Sequence, residues 1–184
     1  MHEKYQKFLI TDFVVFDIET TGLDPVNHEI VEIAACRVRN GEIVERFEAL
    51  IAPTKGVPRE VEKIHGLNEI FLLVNGQEAR KAMTNFVKFV GDNIVVGHNI
   101  RDFDWLFVTN HLKRLSLGIM QNKMIDTLEL TRKLLRLPKN NLGEVAKYFG
   151  YEPKVAHRAM ADVETNALVF VKLMELLLNS ESTN

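Results

Sequence analysis

The chain has 184 residues, of which 46% are hydrophobic and 26% are charged, and its formal net charge at pH 7 is -2. This length suits one globular domain, and we predict a single domain over residues 1–184 with a core from about 12 to 178. The charge excludes nucleic-acid binding through overall basicity, so a polyanion would have to be bound through local basic patches or metal cations.

The cysteine content and the hydropathy exclude two further classes of protein. Cys36 is the only cysteine, so an internal disulfide is excluded, and its apolar surroundings predict a buried thiol. This usage is typical of a reducing compartment, and we expect a cytoplasmic protein. The first residues do not resemble a secretory signal. The sequence contains no stretch of about 18 apolar residues, so no membrane span is expected.

Three strands are predicted at the start of the chain. The first is the short apolar run Phe13–Ile18, which ends in Thr20-Thr21-Gly22. The runs Glu29–Arg39 and Glu42–Ala52 are also strand-like. Asn40-Gly41 lies between them, and this dipeptide is the strongest short signal for a hairpin.

The rest of the chain alternates helical patterns with short apolar runs. The predicted short strands are Asn93–Gly97 and Lys123–Ile125. The predicted helices are Glu78–Val90, Asp104–Leu115, Asp126–Leu137 (ended by Pro138), Leu142–Phe149 (closed by Gly150) and Arg158–Leu178, followed by a frayed tail. This order predicts an α/β domain with a mixed sheet, in which the front strands are antiparallel and the later strands are reached through helices.

Two acids leave the end of the first strand together. Asp17 and Glu19 are two residues apart, so their side chains point to the same face of a strand. Two like charges beside an apolar run repel each other and lose solvation, and a divalent cation would relieve both costs. A pair of solvated acids at a strand end is the alternative interpretation.

A histidine and a third acid lie near the start of the last predicted helix. His157 and Asp162 are five residues apart, with the small residues Ala159 and Ala161 between them. Asp162 is a candidate metal ligand. His157 is a candidate general base, because an unperturbed imidazole has a pKa of about 6.5. A solvated histidine at a helix start is the alternative.

A fourth acid, Asp104, lies where a predicted strand passes into a helix. Asp102, two residues earlier, competes with it, and an N-cap is the alternative role for such an aspartate. Several acids and one histidine at strand-to-helix junctions match the arrangement expected of a two-metal phosphoryl-transfer site.

Three segments in this order resemble the DnaQ-like (DEDDh) 3′→5′ exonucleases of the ribonuclease H-like superfamily, and look most similar to polymerase proofreading domains and subunits. They are VVFDIETTGLDP (14–25), GHNIRDFDWLF (97–107) and HRAMAD (157–162). The resemblance implies a ribonuclease H-like mixed sheet flanked by helices. It also implies hydrolysis of phosphodiester bonds at the 3′ end of single-stranded or frayed DNA, with release of 5′-mononucleotides.

The resemblance assigns a role to each of the acids. It implies that Asp17, Glu19, Asp104 and Asp162 hold two divalent cations, Mg²⁺ or Mn²⁺, and that His157 is the general base. The second motif has three residues between His98-Asn99 and Phe103-Asp104, where many members have two. Because the register FDWLFV still matches the family, Asp104 is preferred over Asp102.

The resemblance also implies substrate contacts. They involve an apolar residue after the first strand, a segment that carries a glutamate and a histidine, and an aromatic residue: Leu23, Glu60, His65 and Phe103. Apart from the resemblance, the small residues Thr20, Thr21 and Gly22 could let backbone amides approach a phosphate or ribose. The two threonines with Gly22 could equally form a simple turn, and Phe103 could equally belong to the core. Arg132, Lys133, Arg136 and Lys139 offer local positive charge, although such a face is usually only solvated.

Three readings of function therefore stay open. The first is a DNA exonuclease of proofreading or repair, with a DNA polymerase as a possible partner and no membrane involvement. The second is a 3′→5′ exoribonuclease, because the same catalytic set serves DNA and RNA. The third is an inactive nucleic-acid-binding module. The intact set of five catalytic positions argues against the third reading.

Overall fold

A mixed five-stranded sheet with the strand order β3-β2-β1-β4-β5 organises the protein. The computed structural model describes residues 10–152 and 158–181, with side chains described as far as residue 179. The strands are β1 (Asp12–Thr20), β2 (Ile30–Arg39), β3 (Glu42–Leu50), β4 (Ile94–Gly97) and β5 (Met124–Asp126). The helices are α1 (Arg59–His65), α2 (Glu69–Asn75), α3 (Ala79–Val90), α4 (Asp104–Arg114), α5 (Thr127–Leu134), α6 (Leu142–Tyr148) and α7 (Ala159–Glu181).

Strand β1 is central and is covered on both faces, which explains its nearly continuous apolar sequence. Val14 and Phe16 pack on one face among residues of α3 and α4. Phe13 and Val15 pack on the other face against α7, and the ring of Phe13 meets Phe170 edge-on at 4.8 Å. By the same alternation, Asp17 leaves the sheet on the α7 face.

The pairing of the strands has the predicted mixed character. β1 runs antiparallel to β2 and parallel to β4, and β4 runs parallel to β5. The predicted hairpin joins β2 to β3, with positive φ at both Asn40 (50°) and Gly41 (80°). Two positive φ angles are what a tight primed turn requires, and Asn-Gly tolerates them best.

The burial of Cys36 is confirmed. It is fully buried in β2, and the loss of solvation raises the pKa of its thiol to about 12. The thiol is therefore protonated at neutral pH and behaves as a small core side chain.

Two predicted helix ends are wrong. Helix α5 stops at Leu134, four residues before Pro138, because Leu135 turns to an extended conformation and packs with Val145 and Leu173. The free energy gained by burying the Leu135 side chain thus outweighs that of continuing the helix to Pro138. At the other end of the chain, α7 continues past Leu178 to Glu181, into the segment predicted to fray.

Helices α1 and α2 were not predicted from the sequence. Both have only seven residues. In α2, Leu72 is fully buried, whereas Ile70 and Val74 are each 76% exposed. This helix therefore carries no apolar stripe along one face, and periodicity has nothing to detect.

Within residues 10–152 and 158–181, no helix combines the length and the apolar character needed to cross a bilayer.

A buried histidine ties α4 to the start of β2. Nε2 of His111 accepts a hydrogen bond from the Ile30 amide at 3.1 Å, and Nδ1 lies 3.0 Å from the Phe107 carbonyl. Nδ1 therefore carries the proton in this arrangement. Burial, followed by the Arg114 guanidinium, lowers the pKa of His111 from 6.5 to about 4.

We predict that His111 makes the stability of the protein depend on pH. Between pH 6.5 and 4 the unfolded chain takes up a proton on this imidazole and the folded chain does not. The neutral imidazole therefore stabilises the fold fully above pH 6.5, and this contribution is lost as the pH falls towards 4. The free energy of unfolding of the wild type minus that of His111→Leu should shrink across this window, as measured by urea denaturation at each pH. A difference that stays constant would contradict the assignment. The subtraction removes the contributions of the other titrating groups.

Candidate active site

The carboxyl ends of β1, β4 and β5 meet at one edge of the sheet, because these three strands run parallel. Helix α7 begins near the same edge, and Asp162 lies in its first turn. Asp17, Glu19 and Asp162 thereby come together, and each offers a carboxylate oxygen within 4.8 Å of the other two. All three side chains are partly exposed, so the cluster is open to a ligand.

The three carboxylates strain one another electrostatically. Burial, followed by the charges of Asp104, Glu19 and Asp162, raises the pKa of Asp17 well above its usual value. Burial and the charges of Glu32, Asp162 and Asp104 raise the pKa of Glu19 to about 8, although Arg158 opposes this shift. A cation at this position would offset both the lost solvation and the mutual repulsion. The donors are all oxygens, so the residues present fit a hard divalent cation such as Mg²⁺ or Mn²⁺.

Asp104 lies close to this cluster but is more deeply buried. It is the first residue of α4 and is only 3% exposed. Burial raises the pKa of its carboxyl to about 8, against hydrogen bonds from its own amide and that of Ile18. Its charge in turn raises the pKa of Asp17 and of Glu19, which places it within electrostatic reach of both.

Asp102 occupies a different environment. Its side chain is exposed, and its backbone amide donates to the carbonyl of Asn99 at 3.3 Å. The N-cap position of α4 is held by Phe103, so neither aspartate has the capping role considered from the sequence. Of the two acids, the one that faces β1 is Asp104.

Hydrogen bonds of its own threonine side chains fix the conformation of the loop after β1. The Thr20 hydroxyl donates to the Gly22 carbonyl at 2.7 Å, and the Thr21 hydroxyl accepts from the Glu29 amide at 2.9 Å. A Cβ added at Gly22 would lie 2.6 Å from the His28 ring, so the close approach of this ring requires glycine. Both threonines are buried and their hydroxyls are engaged inside the loop.

Leu23, in contrast, projects from this loop into solvent. Its side chain is 82% exposed. Phe103 differs, because its ring stacks at a tilt on Phe107 at 5.0 Å and packs against the core. Phe103 nevertheless remains partly exposed, so its ring packs on the core with one side and borders the surface with the other.

The two predicted substrate contacts on α1 differ in how far they are buried. Glu60 is exposed in the first turn, whereas His65 is 3% exposed at the last residue of the helix. Nδ1 of His65 accepts from the Leu67 amide at 3.0 Å, and burial lowers the pKa of the imidazole. Its buried Nε2 has no hydrogen-bond partner among the described residues, although the Thr20 backbone lies near enough to raise the pKa somewhat. His65 therefore borders the end of β1 as a neutral imidazole.

Glu32 was not singled out from the sequence, although it is the most buried acid near the site. It lies opposite Glu19 in the β1–β2 pairing and is fully buried. Arg158 donates to its carboxylate from NH2 at 2.8 Å, and the Ala159 amide donates to it at 3.0 Å. A charged residue within the apolar run of β2 was the available signal, since such positions are buried only when the charge is paired.

The predicted general base, His157, lies outside the described residues. Arg158 is the first residue described on that side, so the structure fixes the start of the helix to which His157 is joined. The exposed cations Arg132, Lys133, Arg136 and Lys139 lie on α5 and in the connection to α6.

Comparison with known proteins identifies the class of this site. The exonuclease family model matches residues 14–170. DNA polymerase III subunit epsilon of Aquifex aeolicus (strain VF5) is 37% identical over 166 residues, which are 90% of this chain and 81% of that protein. DNA polymerase III PolC-type of Staphylococcus aureus (strain MW2) is 37% identical over 164 residues, or 89% of this chain but only 11% of that protein.

Solved structures share the fold. A zinc-bound complex of E. coli exonuclease I with single-stranded DNA matches with a TM-score of 0.79 at 22% identity, covering 90% of this chain and 40% of that one. A further exonuclease I structure also has a TM-score of 0.79, covering 92% of this chain and 43% of that one. The predicted ribonuclease H-like mixed sheet is confirmed.

The fold and the family match define an enzyme of the 3′→5′ exonuclease class. The chain belongs to the exonuclease family, as its three motifs predicted.

We predict that Asp104 and Asp102 differ sharply when each is changed to asparagine. Asp104→Asn should lower turnover by orders of magnitude and weaken Mn²⁺ binding, because it removes a buried charge next to Asp17. Asp102→Asn is the matched control. It should keep wild-type turnover and change the free energy of unfolding by less than about 0.5 kcal/mol, as exposed substitutions usually do. Turnover on a labelled oligonucleotide and calorimetric titration with Mn²⁺ measure both effects. Loss of activity in Asp102→Asn alone would show that the second motif has been read in the wrong register.

Proposed function

We propose that this protein removes nucleotides one at a time from the 3′ end of single-stranded or frayed DNA, in proofreading or repair. The observation that carries the proposal is the cluster of Asp17, Glu19 and Asp162 at the sheet edge, with Asp104 buried behind it. A divalent cation and a phosphate are the partners that such a cluster suits, because carboxylates alone would repel the phosphate.

The four acids would hold two divalent cations, Mg²⁺ or Mn²⁺. When bound, such cations supply an activated water and neutralise the charge that develops on the phosphate and the leaving oxygen. The acids themselves would hold these cations in place through side chains carried on β1, α4 and α7. The raised pKa values of Asp17, Glu19 and Asp104 express how strongly the site disfavours these negative charges in the absence of a cation.

The remaining residues divide the other tasks. We assign to His157 the removal of a proton from the attacking water, a role worth about 10²- to 10⁴-fold in rate. The exposed Leu23 would contact the terminal base, and the buried Thr20 and Thr21, together with Gly22, would hold Leu23 in place. His65 would border the terminal nucleotide, with Glu60 nearer to solvent and Phe103 as an apolar boundary.

The names of the relatives favour DNA over RNA as the substrate. The relatives described above are DNA polymerase III proteins, and exonuclease I has been solved with single-stranded DNA. We therefore propose DNA ends as the substrate, a DNA polymerase as a partner and a cytoplasmic location. The family match over residues 14–170 supports our prediction of one exonuclease domain over 1–184, with a core from about 12 to 178.

A digest of labelled oligonucleotides tests this proposal. With Mg²⁺ or Mn²⁺, a 5′-labelled single strand should shorten stepwise from its 3′-hydroxyl and release 5′-mononucleotides. A 3′-blocked strand, a fully paired blunt duplex and a strand in the presence of a chelator should be degraded slowly or not at all. RNA of the same sequence is the comparison that separates the two substrate classes. Equal cleavage of free and 3′-blocked strands would exclude a 3′-end mechanism, and faster cleavage of RNA would favour an exoribonuclease.

We predict that His157→Ala lowers turnover by orders of magnitude while metal and oligonucleotide binding persist. The imidazole acts on a proton of the water and is not itself a ligand in this assignment. Single-turnover rates should be measured on protein whose fold is verified by circular dichroism, with His2→Ala as a control for loss of a histidine outside the three sequence motifs. A rate per folded molecule close to that of the wild type would remove His157 from the mechanism.

A further inference from the structure

The start of helix α7 is anchored to the sheet by a buried ionic contact. Both carboxylate oxygens of Glu32 are used: one accepts from the Arg158 guanidinium at 2.8 Å, and the other accepts from the Ala159 amide at 3.0 Å. Nε of Arg158 lies 3.2 and 3.3 Å from the two oxygens. An acid on β2 thus satisfies the first backbone donor of α7, a task that a residue of the helix itself usually performs.

A second acid completes the contact from β3. Glu48 lies 3.7 Å from the Arg158 guanidinium, and burial together with the Glu32 charge raises the pKa of Glu48. The Arg158 side chain is 40% exposed, whereas that of Glu32 is 0% exposed. Arg158 therefore neutralises a charge that could not otherwise be buried at this place.

This contact lies between the elements that form the acid cluster. Glu32 pairs across the sheet with Glu19 on β1, and Ala159 is three residues before Asp162 on α7. The contact therefore holds the first turn of α7 against the strand pair from which Glu19 projects. A displacement at Ala159 would be carried to Asp162, because one turn of helix moves as a unit.

A comparable ionic contact exists farther along the same helix. Arg46 on β3 meets Glu164 on α7 at 2.6 Å, with side chains that are 53% and 41% exposed. It also joins α7 to the sheet, but both partners face solvent and neither bonds to the helix start. Exposed pairs of this kind contribute little, so this pair is a natural control.

We propose that Glu32 and Arg158 are positioning residues for catalysis, which set the place of Asp162 relative to Asp17 and Glu19 by clamping the start of α7. The proposal rests on the function proposed above. Neither residue needs to touch the substrate. Bidentate geometry matters in this contact, since a guanidinium and a carboxylate fix each other in both distance and plane.

Two substitutions separate positioning from simple loss of charge. Glu32→Gln keeps the shape of the side chain and removes its charge. Arg158→Lys keeps the charge and removes the planar fork. We expect turnover to fall at least about tenfold in both variants, with the oligonucleotide KM changed by less than about twofold, because misplacing a catalytic group acts mainly on the chemical step. The Mn²⁺ concentration for half-maximal activity should rise in both, and Glu164→Gln should match the wild type.

Binding and exchange measurements do not depend on turnover. Titration with Mn²⁺ alone should show weaker binding in Glu32→Gln and Arg158→Lys, and the Ala159 amide should exchange with solvent at least about tenfold faster by NMR. These readouts remain informative even if the wild type shows no nuclease activity, a result that would contradict the proposed function only. If Glu32→Gln does not fold, Arg158→Lys decides alone. Wild-type turnover and Mn²⁺ binding in folded Arg158→Lys would overturn the proposal and leave Glu32 a purely electrostatic or structural role.

Discussion

Mutual repulsion among carboxylates at the end of β1 is the constraint on which the site depends. Asp17 and Glu19 project from a strand whose preceding residues are buried on both faces, so each acid is only partly exposed to water. Asp104 and Asp162 then bring two more negative charges to the same place. The apolar core on either side of β1 supplies the stability that holds these groups together, as is typical of a site built for a cation.

The scaffold keeps this arrangement rigid through contacts that involve no substrate. The Thr20 and Thr21 hydroxyls are used within the loop, and His111 anchors the amide at the start of β2. Each bond satisfies a polar group that burial would otherwise leave unpaired. The site is thus carried on strands and helix starts, and such positions are more precise than those on free loops.

The sequence predicted the fold class and the neighbourhood of the acids, for reasons that are local. The apolar run of β1, the Asn40-Gly41 turn and the three motifs are each contained within a dozen residues. The ends of α5 and α7 escaped prediction because they depend on packing between distant segments, as the burial of Leu135 shows. Helices α1 and α2 escaped because their apolar residues form no single buried face.

The motifs predicted that Asp17, Glu19 and Asp162 would lie together, but not how the groups around them are arranged. Motif register pointed to Asp104 and not to Asp102, and the structure buries the first and exposes the second. No local pattern could reveal that the threonine hydroxyls are already engaged, or that His65 is buried while Glu60 is exposed. Glu32 was hidden for the same reason: its partner Arg158 is 126 positions away in the sequence. Distant pairing is a property of the assembled sheet and helix, whereas motifs report only their own neighbourhood.

The direction of α7 adds a last element to this balance of charges. The amino end of a helix carries partial positive charge, and Asp162 lies in the first turn of α7. The same end presents its Ala159 amide to Glu32. A helix that entered by its carboxyl end would add negative charge to a site that already has too much of it. The polarity of α7 is therefore an electrostatic requirement as well as a topological one. The helix start lowers the cost of gathering the acids, and a bound cation would complete the neutralisation that the protein begins.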